Sequence, residues 1–188
     1  MAAYIIIAII AYLIGSVNFS VILSKKMAGF DVREKGSGNA GTTNMLRSVG
    51  KGAAVLTLIC DILKGVVSIG IAIIIGNIFN IQDKALLVQI AGIFVVIGHT
   101  FPIFFGFKGG KGVATSLGVL LMSNWQIGLI CLVFALVLMA LTRMVSLGSV
   151  AAAILYPVLT LFITRKLYCK RRKWIFYLQC YFSSNCSI

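Results

Sequence analysis

His99 is the only histidine in the chain, and it closes an apolar run that is followed by Phe-Pro-Ile-Phe-Phe-Gly-Phe-Lys-Gly-Gly-Lys-Gly-Val-Ala-Thr, ending at Thr115. One imidazole, the ammonium groups of Lys108 and Lys111, and the glycines Gly109, Gly110 and Gly112 therefore share a short stretch at the edge of a hydrophobic segment. Imidazole moves protons near neutral pH, lysine attracts anions, and glycine-rich backbone can turn N–H groups toward a phosphate. These residues suit the handling of a phosphorylated substrate beside lipid. An ATP-binding loop is not formed, because G-x-x-x-x-G-K-[ST] needs Ser or Thr after the lysine and Gly112 stands there. Two lysines on a glycine turn that runs directly into an apolar segment can still hold a phosphate at a helix N-terminus.

A second glycine-rich stretch reads Gly-Ser-Gly-Asn-Ala-Gly over residues 36–41. It matches G-x-G-x-x-G formally, but no strand precedes it, so the dinucleotide-binding reading fails. Gly36, Gly38 and Gly41 are expected to curl the backbone so that successive N–H groups face an anion. Ser37, Thr42, Thr43 and Asn44 add side-chain donors, and Arg47 adds charge. A merely flexible loop is the competing reading.

Polar residues also fall inside apolar segments. Asp61 and Lys64 stand at i, i+3 spacing, where they can neutralise each other as a structural pair. His99 is a functional candidate by default, since an ionisable group in a membrane is costly to bury without a role; a satisfied core histidine is the alternative. Pro102 is expected to end or kink its helix and aim the imidazole at the lysine loop. Ser16, Asn18 and Ser20, and Ser146 with Ser149, are expected to pack helices or line a cavity.

The elements that must position these groups are membrane helices. Of the 188 residues, 60% are hydrophobic and only 11% charged, which excludes an ordinary soluble domain. Apolar segments cover about 3–23, 53–76, 85–105, 113–123, 127–142 and 144–164, against the roughly twenty residues that span a bilayer. The short pair flanking Ser123-Asn124-Trp125 reads as two helices joined at an interfacial tryptophan. The first segment lacks a basic n-region and is expected to be a retained helix. The predicted fold is all-α, a polytopic integral membrane bundle of about six to seven transmembrane helices. Residues 1–164 form its membrane domain and 165–188 an atypical basic tail.

The net charge of +13 does not signal nucleic acid, because the basic residues sit in short segments between apolar runs. Lys25, Lys26, Arg33, Lys35, Arg47 and Lys51 lie between the first two segments, whereas the next connection carries Lys84. The positive-inside rule then puts the first loop in the cytoplasm and the N-terminus outside, with Lys108, Lys111 and Arg143 also inside. The basic residues of the tail break this alternation. Cys60, Cys131, Cys169, Cys180 and Cys186 show no C-x-x-C spacing, so neither a metal nor a disulfide framework is expected.

Three motifs taken together resemble one family: Gly-Ser-Gly-Asn-Ala-Gly-Thr-Thr-Asn-Met-Leu-Arg (36–47), Asp61-Ile-Leu-Lys64-Gly65, and Gly98-His99 through Thr115. The chain is similar over about residues 1–164 to the acyl-phosphate:glycerol-3-phosphate acyltransferases of bacterial membranes. The resemblance implies transfer of a fatty acyl group from acyl phosphate to the 1-hydroxyl of glycerol 3-phosphate, giving lysophosphatidic acid and phosphate. It implies a multi-pass protein of the bacterial plasma membrane with its site on the cytoplasmic side. Also implied are no cofactor, the lipid bilayer as surroundings, and a functional link to the enzyme that makes acyl phosphate.

Carried onto matching positions, Ser37, His99 and Lys108 would serve catalysis. Gly36, Gly38, Asn39, Gly41, Thr43, Asn44, Arg47, Gly109, Gly110, Lys111, Gly112, Thr115 and Ser146 would bind substrate. Asn18 and Ala40 stand where family members commonly have proline, which should loosen those turns. The family usually adds a further span with a His-Arg-x-Asn-Ile type motif, and this chain has no second histidine. A catalytically impaired member and a transporter for a phosphorylated metabolite are the two competing readings.

Overall fold

The computed structural model describes residues 1–162; the tail 165–188 lies outside the described residues. Every regular element among the described residues is helical. These are α1 (Ala2–Ser16), α2 (Phe19–Ala28), α3 (Thr42–Ser48), α4 (Lys51–Ile78), α5 (Lys84–Thr100), α6 (Val113–Ser123), α7 (Trp125–Thr142) and α8 (Val145–Phe162). Five stretches, with α1 and α2 taken as one, are long and apolar enough to cross a membrane, and α6 is a shorter apolar helix. Ile5, Ile9, Val55, Ile59, Ile74 and Ile93 face outward, as lipid-facing side chains do.

The single first segment expected from hydropathy is broken in two. Val17 and Asn18 are extended, and the Asn18 carboxamide oxygen accepts from Val21 N at 3.3 Å and from the Ser20 hydroxyl at 2.7 Å. Asparagine side chains compete with the helix ladder in this way and so start helices rather than continue them. The interruption leaves the Val17 carbonyl open to another partner. Asn124 likewise separates α6 from α7 in an extended conformation, so the two-helix reading of that region holds.

The chain divides into two units, Met1–Gln126 and Ile127–Ile188. In the first, Ile7, Ala11, Ile69, Ala72, Leu87, Ala91 and Val95 form a core among α1, α4 and α5. Two glycine contacts bring its helices close, as is common where apolar surface alone gives no drive to associate. A methyl group on Gly98 of α5 would strike the Tyr12 carbonyl and reach 3.0 Å from Gly15 Cα, and one on Gly65 of α4 would come to 2.5 Å from the Thr115 carbonyl of α6. A second core of Val21, Val32, Ala40, Met45, Ala53 and Ala54 lies beneath the loop between α2 and α4. In the second unit, α7 and α8 approach at Gly148, where a methyl would come to 2.8 Å from the Ala135 carbonyl.

Candidate phosphate-handling site

The first loop is shaped by Asp31 and Asn44. Asp31 begins a short 3-10 turn by accepting from Arg33 N at 3.0 Å, and both its carboxylate oxygens bind the Arg33 guanidinium, at 3.0 Å to Nε and 2.7 Å to Nη2. Those charge-assisted bonds hold the Asp31 carboxyl at about 2, against an ordinary 3.8, and raise the Arg33 guanidinium in turn. Asn44 is buried and spent on the loop itself. Its amide donates to the Val32 carbonyl at 2.8 Å and the Lys35 carbonyl at 3.0 Å, while its oxygen accepts from Ser37 N at 3.0 Å.

This changes how the glycines work. Instead of pointing at an anion, the N–H of Ser37 goes to Asn44, that of Gly38 to the Lys35 carbonyl at 3.2 Å and that of Gly41 to the Asn39 carbonyl at 3.0 Å. The expected backbone nest is therefore turned inward, because a loop this tight satisfies its own donors first. Gly36 and Gly38 supply left-handed turns, with φ of 61° and 70°. What the loop presents outward is side chains: Ser37 and Arg47 are exposed, and Asn39 and Thr43 are half-buried.

The second loop folds back on the end of α5. Pro102 ends the helix as expected, Gly106 and Phe107 take consecutive left-handed conformations (φ 65° and 59°), and the chain reverses. Gly109 N then donates to the Thr100 carbonyl and Gly110 N to the His99 carbonyl, each at 3.1 Å. Both glycines are required by close approach. A methyl on Gly109 would strike the His99 carbonyl, and one on Gly110 would strike His99 Nε2 and come to 2.5 Å from the Ala40 carbonyl. Lys108 and Lys111 remain exposed on the rim. Gly112, with φ 75°, opens α6 without a side-chain cap, leaving the first-turn N–H groups of that helix free of side-chain capping. Thr115 is buried in that first turn.

Arg33 joins the two loops. Its Nη1 donates to the Phe105 carbonyl at 2.7 Å and the Lys108 carbonyl at 3.1 Å, and the Ala40 carbonyl packs against Gly110. Both motif-bearing loops thus lie on one face of the Met1–Gln126 unit.

Beneath them, His99 is buried together with Asp61 and Lys64. Lys64 Nζ lies 2.7 Å from His99 Nδ1, 2.8 Å from Asp61 Oδ1 and 3.0 Å from the Val17 carbonyl left open by the α1–α2 break. The Asp61–Lys64 pair expected from spacing exists, but it is not self-contained. Sequence reasoning missed its link to His99 and missed the Arg33 clasp; Asp31-Val-Arg33 was visible only as loop charge. Ser146 stands exposed at the start of α8, in the other unit.

The site thus brings together a loop of hydroxyl and guanidinium groups, a lysine–glycine loop over a helix N-terminus, and a buried ion pair carrying the histidine, all within apolar helices. It defines a class: integral membrane proteins that handle phosphorylated molecules at the bilayer surface. The model of the glycerol-3-phosphate acyltransferase family matches residues 5–184, and the chain belongs to that family. It is 45% identical over 164 residues to a glycerol-3-phosphate acyltransferase of Clostridioides difficile (strain 630), covering 87% of this chain and 80% of that one. One from Paraburkholderia xenovorans (strain LB400) is 47% identical over 153 residues, covering 81% of this chain and 71% of that protein. Among solved structures, the glycerol 3-phosphate form of the integral membrane glycerol 3-phosphate acyltransferase PlsY (YgiH) is similar with TM-score 0.74 at 40% identity, covering 86% of this chain and 77% of that one. The lysophosphatidic acid form of the same acyltransferase gives 0.72 at 38% identity, covering 86% and 76%.

Proposed function

We propose that this chain transfers a fatty acyl group from acyl phosphate to the 1-hydroxyl of glycerol 3-phosphate, at the cytoplasmic face of a bacterial plasma membrane. The observation that carries this reading is the Arg33 clasp, which sets the Ser37–Arg47 loop beside the Lys108–Gly112 loop and so gathers enough cationic and hydroxyl groups for two phosphates. An acyl phosphate is a mixed anhydride with a good leaving group, so no protein nucleophile is needed. The hydroxyl oxygen bonds to the acyl carbon, the bond from that carbon to the phosphate oxygen breaks, and the hydroxyl proton leaves with the phosphate. The protein's part is orientation and charge stabilisation.

Roles follow from exposure. Ser37, Arg47, Lys108 and Lys111 face outward and contact phosphate oxygens, with Asn39 and Thr43 behind them. The start of α6, which has no side-chain cap, favours an anion near Gly112. Gly36, Gly38, Gly41, Gly109 and Gly110 shape the loops, Asn44 pins the first one, and Thr115, buried with its hydroxyl unpartnered among the described residues, offers a donor at the start of α6. His99, 3% exposed and beneath Gly110, acts from below the loop while a substrate phosphate takes the proton. On this reading a separate acyl-activating enzyme supplies the acyl phosphate, and the lysines and arginines gathered in both loops support a cytoplasmic position for them.

The test supplies purified protein in lipid with acyl phosphate and glycerol 3-phosphate. Lysophosphatidic acid and inorganic phosphate formed in equal amounts are expected. Glycerol 3-phosphate entering vesicles without turnover would replace the reading with a carrier.

A further inference from the structure

The cluster of Asp61, Lys64 and His99 has a geometry that spacing alone did not suggest. Lys64 Nζ donates to the Val17 carbonyl at 3.0 Å and lies 2.7 Å from His99 Nδ1, and it pairs by charge with Asp61 Oδ1 at 2.8 Å, an oxygen without a hydrogen bond among the described residues. His99 Nδ1 is also 3.5 Å from Asp61 Oδ1, so it faces two competing partners, and the much shorter approach belongs to the lysine. A ring nitrogen that accepts from an ammonium carries no proton. An ammonium has no lone pair, so with Lys64 charged Nδ1 is the acceptor and a ring proton belongs on Nε2, the edge that abuts Gly110.

The side chains of Asp61, Lys64 and His99 are 2%, 3% and 4% exposed, and one carboxylate with one ammonium leaves the cluster neutral. Such an arrangement contributes little stability compared with apolar packing, and the role open to it is specificity of structure. What it specifies is readable. The ring of His99 supports the underside of the Gly109–Gly112 loop, its carbonyl takes the Gly110 N–H, and Gly112 lies over its Cδ2 edge.

We propose that Asp61 and Lys64 are positioning residues: they lock His99 in the Nε2–H form and, through it, set the height and tilt of the lysine–glycine loop that receives a substrate phosphate. The proposal rests on the phosphate-binding reading of that loop for its consequence, but not for its geometry. Neither residue touches substrate. Val17 couples the first helix to the same device, because only the α1–α2 break frees its carbonyl for Lys64.

A chain with a single histidine allows a direct experiment. The full-length protein in lipid nanodiscs, with isotope-labelled imidazole nitrogens, gives one ring to observe by NMR. One protonated Nε2 and an unprotonated, hydrogen-bonded Nδ1 are expected; a protonated Nδ1 in the unaltered protein overturns the proposal without any variant. The paired change Asp61→Asn with Lys64→Met keeps the buried cluster neutral, so the bundle is expected to retain its melting temperature. In that protein the ring should populate both tautomers, and the dissociation constant for glycerol 3-phosphate, by titration calorimetry, should rise about tenfold as the loop loses its support. A fixed Nε2–H ring with unchanged affinity in the folded double variant overturns it. Absence of turnover in the unaltered protein would count against the acyltransferase reading alone, since tautomer and affinity are measured without it.

Discussion

Arg33 donates from Nη1 to the main-chain carbonyl of Phe105 at 2.7 Å while its Nε and Nη2 grip the two oxygens of Asp31, so one guanidinium ties the loop after α2 to the loop after α5. Only a planar fork satisfies a carboxylate on one side and carbonyls on the other. Arg33→Lys keeps the charge but offers a single compact ammonium, which cannot span both. Hydrogen bonds to charged groups contribute about 1.5–3 kcal/mol. We therefore expect Arg33→Lys to raise KM for glycerol 3-phosphate about tenfold or more with a smaller fall in kcat, because the Lys108 loop drifts while its cations survive. Steady-state kinetics on purified protein in lipid decides it; an unchanged KM would mean the two loops hold their places without the clasp.

The same clasp sets an acid limit. Asp31 has a carboxyl depressed to about 2 from 3.8, so its contribution to stability is whole above about pH 4 and is lost as pH falls toward 2. Lys25, 3.6 Å away, adds attraction of the same sign. Thermal unfolding in detergent from pH 6 to 2 should show a melting temperature that drops across the lower part of that window. Asp31→Asn should start lower and lose part of that drop. Parallel curves for the two proteins would assign the acid transition to other groups.

Gly110→Ala and Gly70→Ala separate crowding from mere glycine loss. A methyl at 110 meets His99 Nε2 and the Ala40 carbonyl, neither of which can move without opening the site, whereas one at 70 meets nothing within 4 Å. Within a helix, alanine is favoured over glycine by about 0.5–1 kcal/mol. Gly110→Ala should lower kcat/KM by about a hundredfold. Gly70→Ala should leave activity unaltered and raise the melting temperature slightly. Equal effects in activity assays and melting curves would contradict the packing described for the second loop.

Much of this architecture was legible in the residues because apolar length and turn chemistry act locally. The break at Asn124, the helix end before Pro102 and the two glycine-rich loops each follow from a residue's own backbone preference. What escaped depends on contacts far along the chain. Asn18 splits the first apolar segment through its side chain, but the hydropathy on either side is uninterrupted; only the resemblance, with proline common at that position, hinted at a turn, and the Val17 carbonyl it frees for Lys64 had no signal. Lys64 looked satisfied by Asp61, three residues away, and nothing local announces an imidazole thirty-five positions later. Asn44 carries the donors expected of a ligand-binding residue. Only the folded loop shows that the Val32 and Lys35 carbonyls already take those donors, while Ser37 N donates to the carboxamide oxygen.

Lys108 and Lys111 should differ from Arg33 in how they respond to salt. Both are exposed, so their attraction for a phosphate is screened as ionic strength rises, whereas the half-buried guanidinium works through short hydrogen bonds. Lys108→Ala should raise KM for glycerol 3-phosphate about tenfold at low salt, and the difference from the unaltered protein should shrink as salt is added. Inorganic phosphate, a mimic of the glycerol 3-phosphate headgroup, should compete with glycerol 3-phosphate in the native protein and compete more weakly in Lys108→Ala. The gap between Arg33→Lys and the unaltered protein should persist at high salt, since it reflects displacement of the loop rather than lost long-range attraction. Rate measurements over a salt series for the three proteins resolve the two mechanisms: a Lys108→Ala defect that is constant across the series would make that lysine a structural contact of the loop and move phosphate binding to Lys111 and the start of α6.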